Sequence, residues 1–491
     1  MDRKRKKKIQ NARVIVTNIF MGLSVIAIVF ALMLIAMGFN FGEDGGLEQS
    51  GLIQITSSPK GASVEIDGKG QFNHTDMSKM LSSGFHHVKI SKSNYDTWEK
   101  DVEVDAGLLT RIEWVRLFPV NPKTTDAATF TNIRYAEFSS DRKHLVLIEH
   151  DSPYLNYMNI QDEKISRSHK LSLNSILGEN LNVLVGTISI KAWNNDGNKV
   201  ILTWENDKTT TWYLIDLENE KNAINLSKEF QLNFTDVRIA NNGASKLWVL
   251  ENGRLHTINV NNLSISSIIV SGVEQFVNNG DVVTYVATSG KDNSRKISLY
   301  QDGEEGPTTI LNLEDKNPSI TLAMGTYWNV SWLAFSTDQH LEFYGGNYPS
   351  YNKKSSLKQL ATKDLDFMPS VISINSTGRI ITLAGASQFV SIDAETNKLF
   401  EAAFDSESSG INWLDDYLFW EIVQDKIIVR DFDGDNRREI ITNVNSQLPV
   451  AISENNHWLY YFVIEEPEED EDVLSAPSTD TIYTLKRLKL N

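Results

Sequence analysis

A polar turn followed by apolar strands recurs eight times within residues 128–491 of this 491-residue chain. The turns fall near residues 140, 196, 242, 279, 337, 376, 415 and 454, a mean spacing of about 45 residues. Apolar residues in each copy alternate with period two, which is typical of strands and unlike the 3.6-residue period of helices. A period of about 40–45 residues with several strands per copy predicts a β-propeller. We expect eight blades; seven or nine would require one copy to be merged or missed.

The best-formed copy reads NNDGNKVILTWEN…TWYLIDLENEK. It resembles the blades of TolB-type and WD-like propellers, in which a Pro-Asp-Gly-like turn precedes a strand and a Tyr-x-x-Asp pattern ends the next one. The resemblance extends over residues 128–491, although the individual copies are degenerate. It implies the fold and does not imply a ligand.

The N-terminal region has the composition of a membrane anchor. Residues 1–13 carry seven Lys or Arg and one Asp, and the following 26 residues, 14–39, contain no charge. A helix of that length is about 39 Å long, which exceeds the ~30 Å hydrocarbon core. The next segment, GEDGGLEQS, contains three acidic residues and no basic one. The positive-inside rule therefore predicts a cytoplasmic tail at 1–13, a transmembrane helix at 14–39, and everything after it outside a cell membrane.

A cleaved signal peptide is the alternative, since Ala36-Met37-Gly38 has the small-x-small pattern of a cleavage site. We favour the uncleaved anchor, because the apolar run is longer than the 7–15 residues of a signal h-region.

Residues 51–118 alternate apolar and polar side chains in short segments separated by turn sequences. The alternating pairs are Ile53 and Ile55, Val64 and Ile66, Val88 and Ile90, Val102 and Val104, and Ile112 and Trp114. This pattern predicts a small antiparallel β-sandwich. Linkers are expected at 40–50 and, because of its two prolines, at 119–127.

The segments ITSSPKGASVEIDGK, MLSSGFHHVKISKSNYDTW and VEVDAGLLTRIEWVRL resemble the PEGA domain. Lys60 stands where the family has Glu, and FNHTDMS replaces a Gly-x-Thr-Pro turn, but both departures lie in turns. The resemblance implies an extracytoplasmic β module of the kind found in bacterial and archaeal surface proteins. Such a module serves as a binding unit or a spacer and has no catalytic activity. His86 and His87 are adjacent strand residues that face opposite ways, so they are not expected to share a metal ion.

The segment DFDGDNRREI contains the one candidate metal site. Asp431, Asp433, Asp435 and Glu439 occupy positions 1, 3, 5 and 9 of a calcium-type loop, and oxygen ligands at such positions suit Ca²⁺. The spacing also resembles the loops of FG-GAP propellers. An ordinary hairpin turn fits the same letters, and Asn436 stands where calcium loops prefer Gly. We favour the turn, and we expect no other cofactor.

Composition excludes several function classes. The chain has no cysteine, which rules out thiol nucleophiles and Cys zinc sites and favours a bacterial surface protein without disulfides. Outside residues 1–13 the net charge is −23, so binding to nucleic acid phosphates is not expected. The acidic block EEPEEDED, residues 465–472, is expected to be a solvated loop.

The sequence contains no His-Glu-x-x-His, no Gly-x-Ser-x-Gly and no phosphate-binding Gly loop, so we assign no catalytic residue. We expect a membrane-tethered binding or scaffold protein whose partners are membrane lipid, through the helix, and envelope proteins or wall polymers. A propeller enzyme acting on envelope glycans or peptides through channel carboxylates is the alternative.

Overall fold

The computed structural model describes residues 2–36, 38–41, 46–150, 152–161, 165–178, 186–206, 209–290, 294–304, 306–313, 318–350, 353–405, 407, 411–465 and 480–490. The chain divides into two compact units, Met1–Asn121 and Pro122–Asn491.

The first unit begins with the helix α1 (Asp2–Ala36). Its segment Arg13–Leu34 is long and apolar enough to cross a membrane, with a mean hydropathy of 2.5. The helix ends before Phe39, the predicted end of the membrane segment, because Gly38 takes a left-handed φ of 81° and Phe39 starts a strand. A helix cannot continue through that conformation.

Eight strands follow and form a sandwich of two sheets. They are β1 (Phe39–Phe41), β2 (Leu47–Ser58), β3 (Ser63–Ile66), β4 (Lys69–His74), β5 (Met77–Ser82), β6 (Gly84–Ser91), β7 (Thr97–Val104) and β8 (Leu109–Arg116). One sheet has the order β1-β2-β5, with β8 parallel to β2, and the other has the order β4-β3-β6-β7. The sandwich was predicted to be antiparallel, and the β2–β8 pair is the exception among its described strand pairs. Residues 40–50 were predicted as a linker, but the described part of that range belongs largely to β1 and β2. Phe39 pairs with Gln49 there, so the hairpin extends the sheet.

One apolar cluster fills the sandwich. Of the ten residues predicted from alternation, nine are buried, and Trp114 packs partly buried against them. Trp98 is fully buried in the same cluster. His86 and His87 face opposite ways as expected: His86 bonds the Asp67 carboxylate and His87 that of Asp101.

The second unit starts with β9 (Thr124–Thr131). In each of the next four sheets the strands follow one another in chain order from the centre of the propeller outward. Sheet 1 holds β10 (Ile133–Phe138), β11 (His144–Glu149), β12 (Tyr154–Asn159) and β13 (Ser166–Ser172); sheet 2 holds β14 (Thr187–Trp193), β15 (Lys199–Glu205), β16 (Thr210–Asp216) and β17 (Ile224–Asn225); sheet 3 holds β18 (Phe234–Ile239), β19 (Lys246–Glu251), β20 (Arg254–Asn259), β21 (Ser264–Ile265) and β22 (Val270–Ser271); sheet 4 holds β23 (Val273–Asn279), β24 (Val282–Thr288), β25 (Arg295–Gln301) and β26 (Thr308–Leu313). Short helices, α2 (Leu173–Leu177), a 3₁₀ turn at Glu220–Asn222 and α3 (Leu226–Phe230), flank sheet 2.

The remaining four sheets repeat the arrangement. Sheet 5 holds β27 (Ile320–Tyr327), β28 (Val330–Thr337), β29 (His340–Gly346) and β30 (Lys358–Asp364); sheet 6 holds β31 (Val371–Ile374), β32 (Ile380–Ala384), β33 (Gln388–Asp393) and β34 (Lys398–Ala403); sheet 7 holds β35 (Asn412–Trp413), β36 (Leu418–Val423), β37 (Lys426–Asp431) and β38 (Arg438–Ile441); sheet 8 holds β39 (Ala451–Ile452), β40 (Trp458–Glu465) and β41 (Ile482–Lys489).

Sheet 8 is completed by β9, which pairs antiparallel with β41, so the first strand of the unit closes the ring. In the described residues one helix is followed along the chain by a small sandwich and then by an eight-bladed propeller, and the all-β prediction is confirmed. The start of the propeller was predicted at residue 128, with a linker at 119–127. The structure corrects this boundary to Thr124, because the closing strand begins there.

The propeller core is divided among the spaces between neighbouring blades. Sheets 1 and 2 share one apolar cluster, and sheets 2 and 3 share the next. Adjacent residues of β15 show the reason: Leu202 points into the first cluster and Ile201 into the second. Both faces of β15 are buried, which explains why residues 200–204 are apolar except for Thr203 and do not follow the period-two alternation expected for the blades.

Candidate functional site

The first strands of the blades line the centre of the propeller. β14 contacts β18, β23 contacts β27, and β27 contacts β31. A cavity of about 620 Å³ is lined by residues of sheets 1, 2, 6, 7 and 8, among them Asn195 and Ile374. Residues of sheets 2 and 6 line one cavity only if it lies in the middle of the ring. This cavity is therefore part of the central channel.

The channel cavity has a mixed wall that suits a ligand with both apolar and polar groups. Phe138, Ile374, Trp413 and Trp420 contribute apolar surface. The indole N–H of Trp413 donates to Ser373 Oγ at 3.0 Å, which fixes the ring in place. Pockets that bind small molecules or peptide segments are commonly of this kind, apolar with a few placed polar groups.

The carboxylates of Glu137, Asp141 and Asp415 line the same cavity. Each accepts hydrogen bonds from backbone N–H groups or side chains of the protein. Asp141 accepts from the Lys143 N–H at 3.1 Å. Asp415 accepts from the N–H groups of Tyr417 and Leu418 at 2.9 and 2.8 Å. The two aspartates thus hold the turns that follow β10 and β35.

The third carboxylate, Glu137, belongs to a network between blades 1 and 2. The indole N–H of Trp193 donates to Glu137 Oε1 at 2.6 Å, and Tyr135 donates its hydroxyl to Oε2. The Ile190 N–H donates to the Tyr135 hydroxyl at 3.1 Å. Burial raises the pKa of Glu137, although the hydrogen bonds from Tyr135 and Trp193 oppose that effect. Burial, with the Glu137 charge, also raises the pKa of Tyr135.

Sequence reasoning did not find this network. Tyr135 and Glu137 lie two residues apart on one strand, a spacing that places both on the same face. That spacing was the available signal, but Trp193 belongs to the next blade, some fifty residues along the chain.

A second cavity of about 680 Å³ lies between blades 2, 3 and 4. Asp236 and Arg238 form an ion pair of 2.9 Å on its wall, and the Arg238 guanidinium lies 5.3 Å from the centre of the Phe276 ring. Lys191 and Glu205 face each other at 3.6 Å. Among the described residues that line the two cavities there is no histidine.

The candidate calcium residues lie at the end of β37, in the following turn and on β38. The Asp431 and Asp435 backbones are joined, with the Asp431 N–H donating to the Asp435 carbonyl at 3.0 Å. The Asp435 N–H donates to Asp433 Oδ1 at 3.2 Å. Glu439 lies apart on β38, and its carboxylate binds the Lys426 ammonium at 3.0 Å.

The Asp431 carboxylate accepts from Asn436 Nδ2 at 3.0 Å and pairs with Arg438. Within the described residues no group of three or more acidic or histidine side chains could hold a metal ion. Calcium binding at this turn stays a hypothesis, as the alternative to an ordinary hairpin turn. Of the acidic block 465–472, only Glu465 lies in the described residues, where it accepts from Thr484 Oγ1.

Residues 50–115 match the PEGA domain family model. No curated protein sequence matches the chain. Among solved structures, the Dos1 propeller is similar with a TM-score of 0.42 and 15% identity, over 75% of this chain and 95% of that one. Oligogalacturonate lyase in complex with manganese gives a TM-score of 0.39 and 12% identity over 76% and 98%. Kluyveromyces lactis Hsv2 gives 0.37 and 9% over 70% and 96%. Similarity at this level carries no information on function.

Proposed function

We propose that the protein is a membrane-tethered extracytoplasmic binding or scaffold protein whose propeller recognises an envelope protein or a wall polymer. Residues 1–13 lie in the cytoplasm, the apolar part of α1 spans the cell membrane once, and both β units lie outside. The PEGA-like sandwich follows the helix in the chain and acts as a spacer. Three observations support this proposal. Basic residues precede the apolar segment and acidic residues follow it, residues 50–115 match the PEGA domain family model, and the second unit is a propeller.

We favour binding over catalysis because the carboxylates of the channel already accept hydrogen bonds within the protein. Glu137, Asp141 and Asp415 each accept hydrogen bonds that hold a turn or join two blades. An acid–base catalyst needs a carboxylate within hydrogen-bond reach of the substrate proton. The cavity wall also offers aromatic and aliphatic surface from Phe138, Ile374, Trp413 and Trp420, which favours recognition.

Charge narrows the class of partner. Residues 122–491 contain 32 Lys and Arg against 51 Asp and Glu, a net charge of −19. Such a surface repels strongly anionic polymers and accelerates encounter with basic ones. We therefore expect a basic or neutral partner.

Crosslinking on intact cells, followed by identification of the captured molecules, tests the binding proposal. Ile374→Lys places a charge on the wall of the channel cavity at a residue that is 37% exposed. Leu360→Lys, on the outer strand β30 and 45% exposed, is the matched control. We expect a reproducible partner with the wild type and the control, and its loss with Ile374→Lys. Capture that is equal in all three would exclude the channel as the binding site.

Protease added to intact cells tests the orientation. We expect both β units to be digested while the basic tail is protected. Full protection of both units would mean the opposite orientation.

A propeller enzyme acting on envelope glycans or peptides is the second candidate. The raised pKa of Glu137 beside the Tyr135 hydroxyl favours it, because perturbed acids in a cleft are common at active sites. Incubation of the protein with purified wall glycan or peptide tests it. Turnover that Glu137→Gln abolishes, with no partner captured on cells, would replace the binding proposal with the enzyme.

A further inference from the structure

The exposed apolar side chains of the sandwich are concentrated at one end. Among the described side chains of residues 46–121, six large apolar ones are more than a third exposed; they are Phe72, Met80, Phe85, Leu108, Leu109 and Val120. Four of them, Met80, Phe85, Leu108 and Leu109, lie at the end of the sandwich that also contains Leu52. We call these five residues the apolar end.

Strand register brings three of these residues into one row. Leu52 on β2 is paired with Met80 on β5 and with Leu109 on β8. Paired residues of neighbouring strands point to the same face of a sheet. The next residue, Ile53, is fully buried in the core, so the row lies on the outer face. Leu108 adjoins the row, because its carbonyl accepts from the Leu52 N–H at 2.9 Å.

Phe85 reaches the same end from the second sheet. The Gly84–Phe85 segment pairs with Val104 and Glu103. The Val104 side chain packs so closely on Gly51 that a Cβ at Gly51 would lie 2.5 Å from Val104 Cγ1. Gly51 directly precedes Leu52, so Phe85 lies at the same end of the sandwich as the row, on the outer face of the second sheet.

The membrane helix leaves the sandwich at this end. Two residues after Ala36, the Gly38 carbonyl accepts from the Ser50 N–H at 2.8 Å. A Cβ on Gly38 would lie 3.6 Å from Met80 Cε. The connection from helix to sandwich is therefore too short to hold the apolar end away from the last turn of the helix.

Chain length bounds the distance to the bilayer. The apolar span ends at Leu34, and the four residues to Gly38 reach at most about 14 Å when fully extended. The headgroup region on each side of the hydrocarbon core is about 5–8 Å thick. Farther along the same face the next row is polar, with Gln54 paired to Ser78 and to Arg111. Polarity thus rises with distance from the helix, as it does across a membrane interface.

We propose that the apolar end is a lipid-binding surface that inserts into the headgroup region of the bilayer. The inference rests on the proposed membrane tether. Apolar side chains of interfacial elements typically sit about 5–10 Å into the headgroup and acyl boundary. Residues 46–121 have 8 Lys and Arg against 10 Asp and Glu, so their net charge of −2 opposes a lipid surface only weakly. The sandwich is thereby fixed to the membrane at two points, the helix and this surface.

Single-cysteine labelling of the full chain tests the proposal directly, because the natural sequence has no cysteine. An environment-sensitive fluorophore is attached at Leu108→Cys or Phe85→Cys, and at Phe72→Cys as the control in the same sandwich. The labelled chains are reconstituted in liposomes that carry nitroxide lipids, with the nitroxide either near the headgroup or at mid-bilayer. We expect headgroup-proximal nitroxides to quench the labels at 108 and 85 strongly, and to leave the label at 72 unchanged.

Flotation of the same liposomes distinguishes a failure of the lipid-binding surface from a failure of the membrane tether. If the chain floats but all three labels are equally unquenched, the lipid surface is excluded and the tether stands. A chain that does not float overturns both. Shielding at 108 and 85 that depends on protein concentration and not on the nitroxide would show that a second copy covers the apolar end.

A charge substitution gives an independent readout. Leu108→Lys combined with Leu109→Lys should abolish the quenching of a label at Phe85→Cys, whereas Phe72→Lys should not change it. Unchanged quenching in the double variant would contradict the proposal.

Discussion

The sandwich and the propeller bury their apolar residues in different ways. The sandwich gathers fourteen buried residues from both of its sheets in one cluster around Trp98. The propeller distributes its core over clusters that each join two neighbouring blades, such as those of sheets 3 and 4 and of sheets 4 and 5. A defect in the sandwich therefore reaches the whole domain, whereas a defect in the propeller acts first on one interface between blades.

The propeller also joins neighbouring blades by hydrogen bonds from buried aromatic side chains to backbone carbonyls of the next blade. The bonds are Tyr157 to Gly197 at 3.0 Å, Trp248 to Gly280 at 3.0 Å, Trp332 to Gly378 at 2.8 Å and Tyr460 to Ile160 at 2.6 Å. Satisfied polar groups at such positions fix the relative placement of two packed surfaces. Because the ring is closed, the pairing of β9 with β41 should matter more than any one of these bonds.

Trp98→Ala should have the largest effect. Removal of a buried Trp side chain costs about 3–5 kcal/mol, which approaches the whole stability of a small domain. We expect calorimetry of the full chain in detergent to show loss of the sandwich transition and retention of the propeller transition. Trp328→Ala, at a residue that is 76% exposed, is the matched control and should leave both transitions in place. Simultaneous loss of both transitions in Trp98→Ala would contradict the separation of the two cores.

Phe130→Ala tests closure of the ring. Phe130 lies on β9, is 3% exposed and packs against Phe462 with ring centres 6.5 Å apart. We expect a loss of about 3–4 kcal/mol in the propeller only. Limited proteolysis should also show faster cleavage near residues 122–131.

Phe276→Ala, a buried residue between sheets 3 and 4, is the control for closure. It should cost a similar free energy without exposing β9 to protease. Equal cleavage near 122–131 in both variants would show that closure has no special role.

Lowering the pH should stabilise the propeller through Glu137 and destabilise the sandwich through Asp67. Burial raises the pKa of Glu137 in the propeller above its ordinary 4.5, so its contribution to stability is present below pH 4.5 and is lost as pH rises through the folded pKa. The hydrogen bond from His86 lowers the pKa of Asp67 in the sandwich below 3.8. Its contribution is therefore present above pH 3.8 and is lost as pH falls through the folded pKa.

Melting temperatures of the two transitions against pH check these signs. Glu137→Gln should remove the part of the propeller's decline that occurs above pH 4.5, and Asp67→Asn should remove part of the sandwich's loss in acid. A Glu137→Gln curve parallel to the wild type would show that this carboxylate has the same pKa in the folded and the unfolded chain.

The sequence predicted most of the fold because period-two alternation is a local property. Five of the eight strands of the sandwich, β2, β3, β6, β7 and β8, could be located in this way. Seven of the eight predicted polar turns precede the second strand of a blade, and the turn near residue 337 follows β28 instead. The closing strand could not be located, since TTDAATFT has few apolar residues and its partner β41 lies about 350 residues away. A separation of 56 residues likewise concealed the network of Glu137, because Trp193 meets Glu137 only through the packing of two blades.

Two Asp-Gly turns, one in each region, give the smallest expected effect. In the sandwich Gly68 follows Asp67 with a φ of 72°, and in the propeller Gly434 follows Asp433 with a φ of 89°. Both glycines take the left-handed conformation that a tight turn requires. The propeller turn also carries the calcium-type spacing, but Asp431 is held by Arg438 and Asn436, and Glu439 by Lys426. A bound cation would have to displace these partners.

We therefore expect calcium to leave the melting temperature of the propeller transition unchanged relative to chelator, in the wild type and in Asp433→Ala alike. A ligand that binds only the native state would raise stability by about 2.7 kcal/mol at a hundred times its Kd, which a melt resolves easily. A rise in the wild type that Asp433→Ala abolishes would establish the calcium site and show that the turn interpretation is wrong. A rise of equal size in both proteins would place the calcium elsewhere, because Asp433 would then not be a ligand.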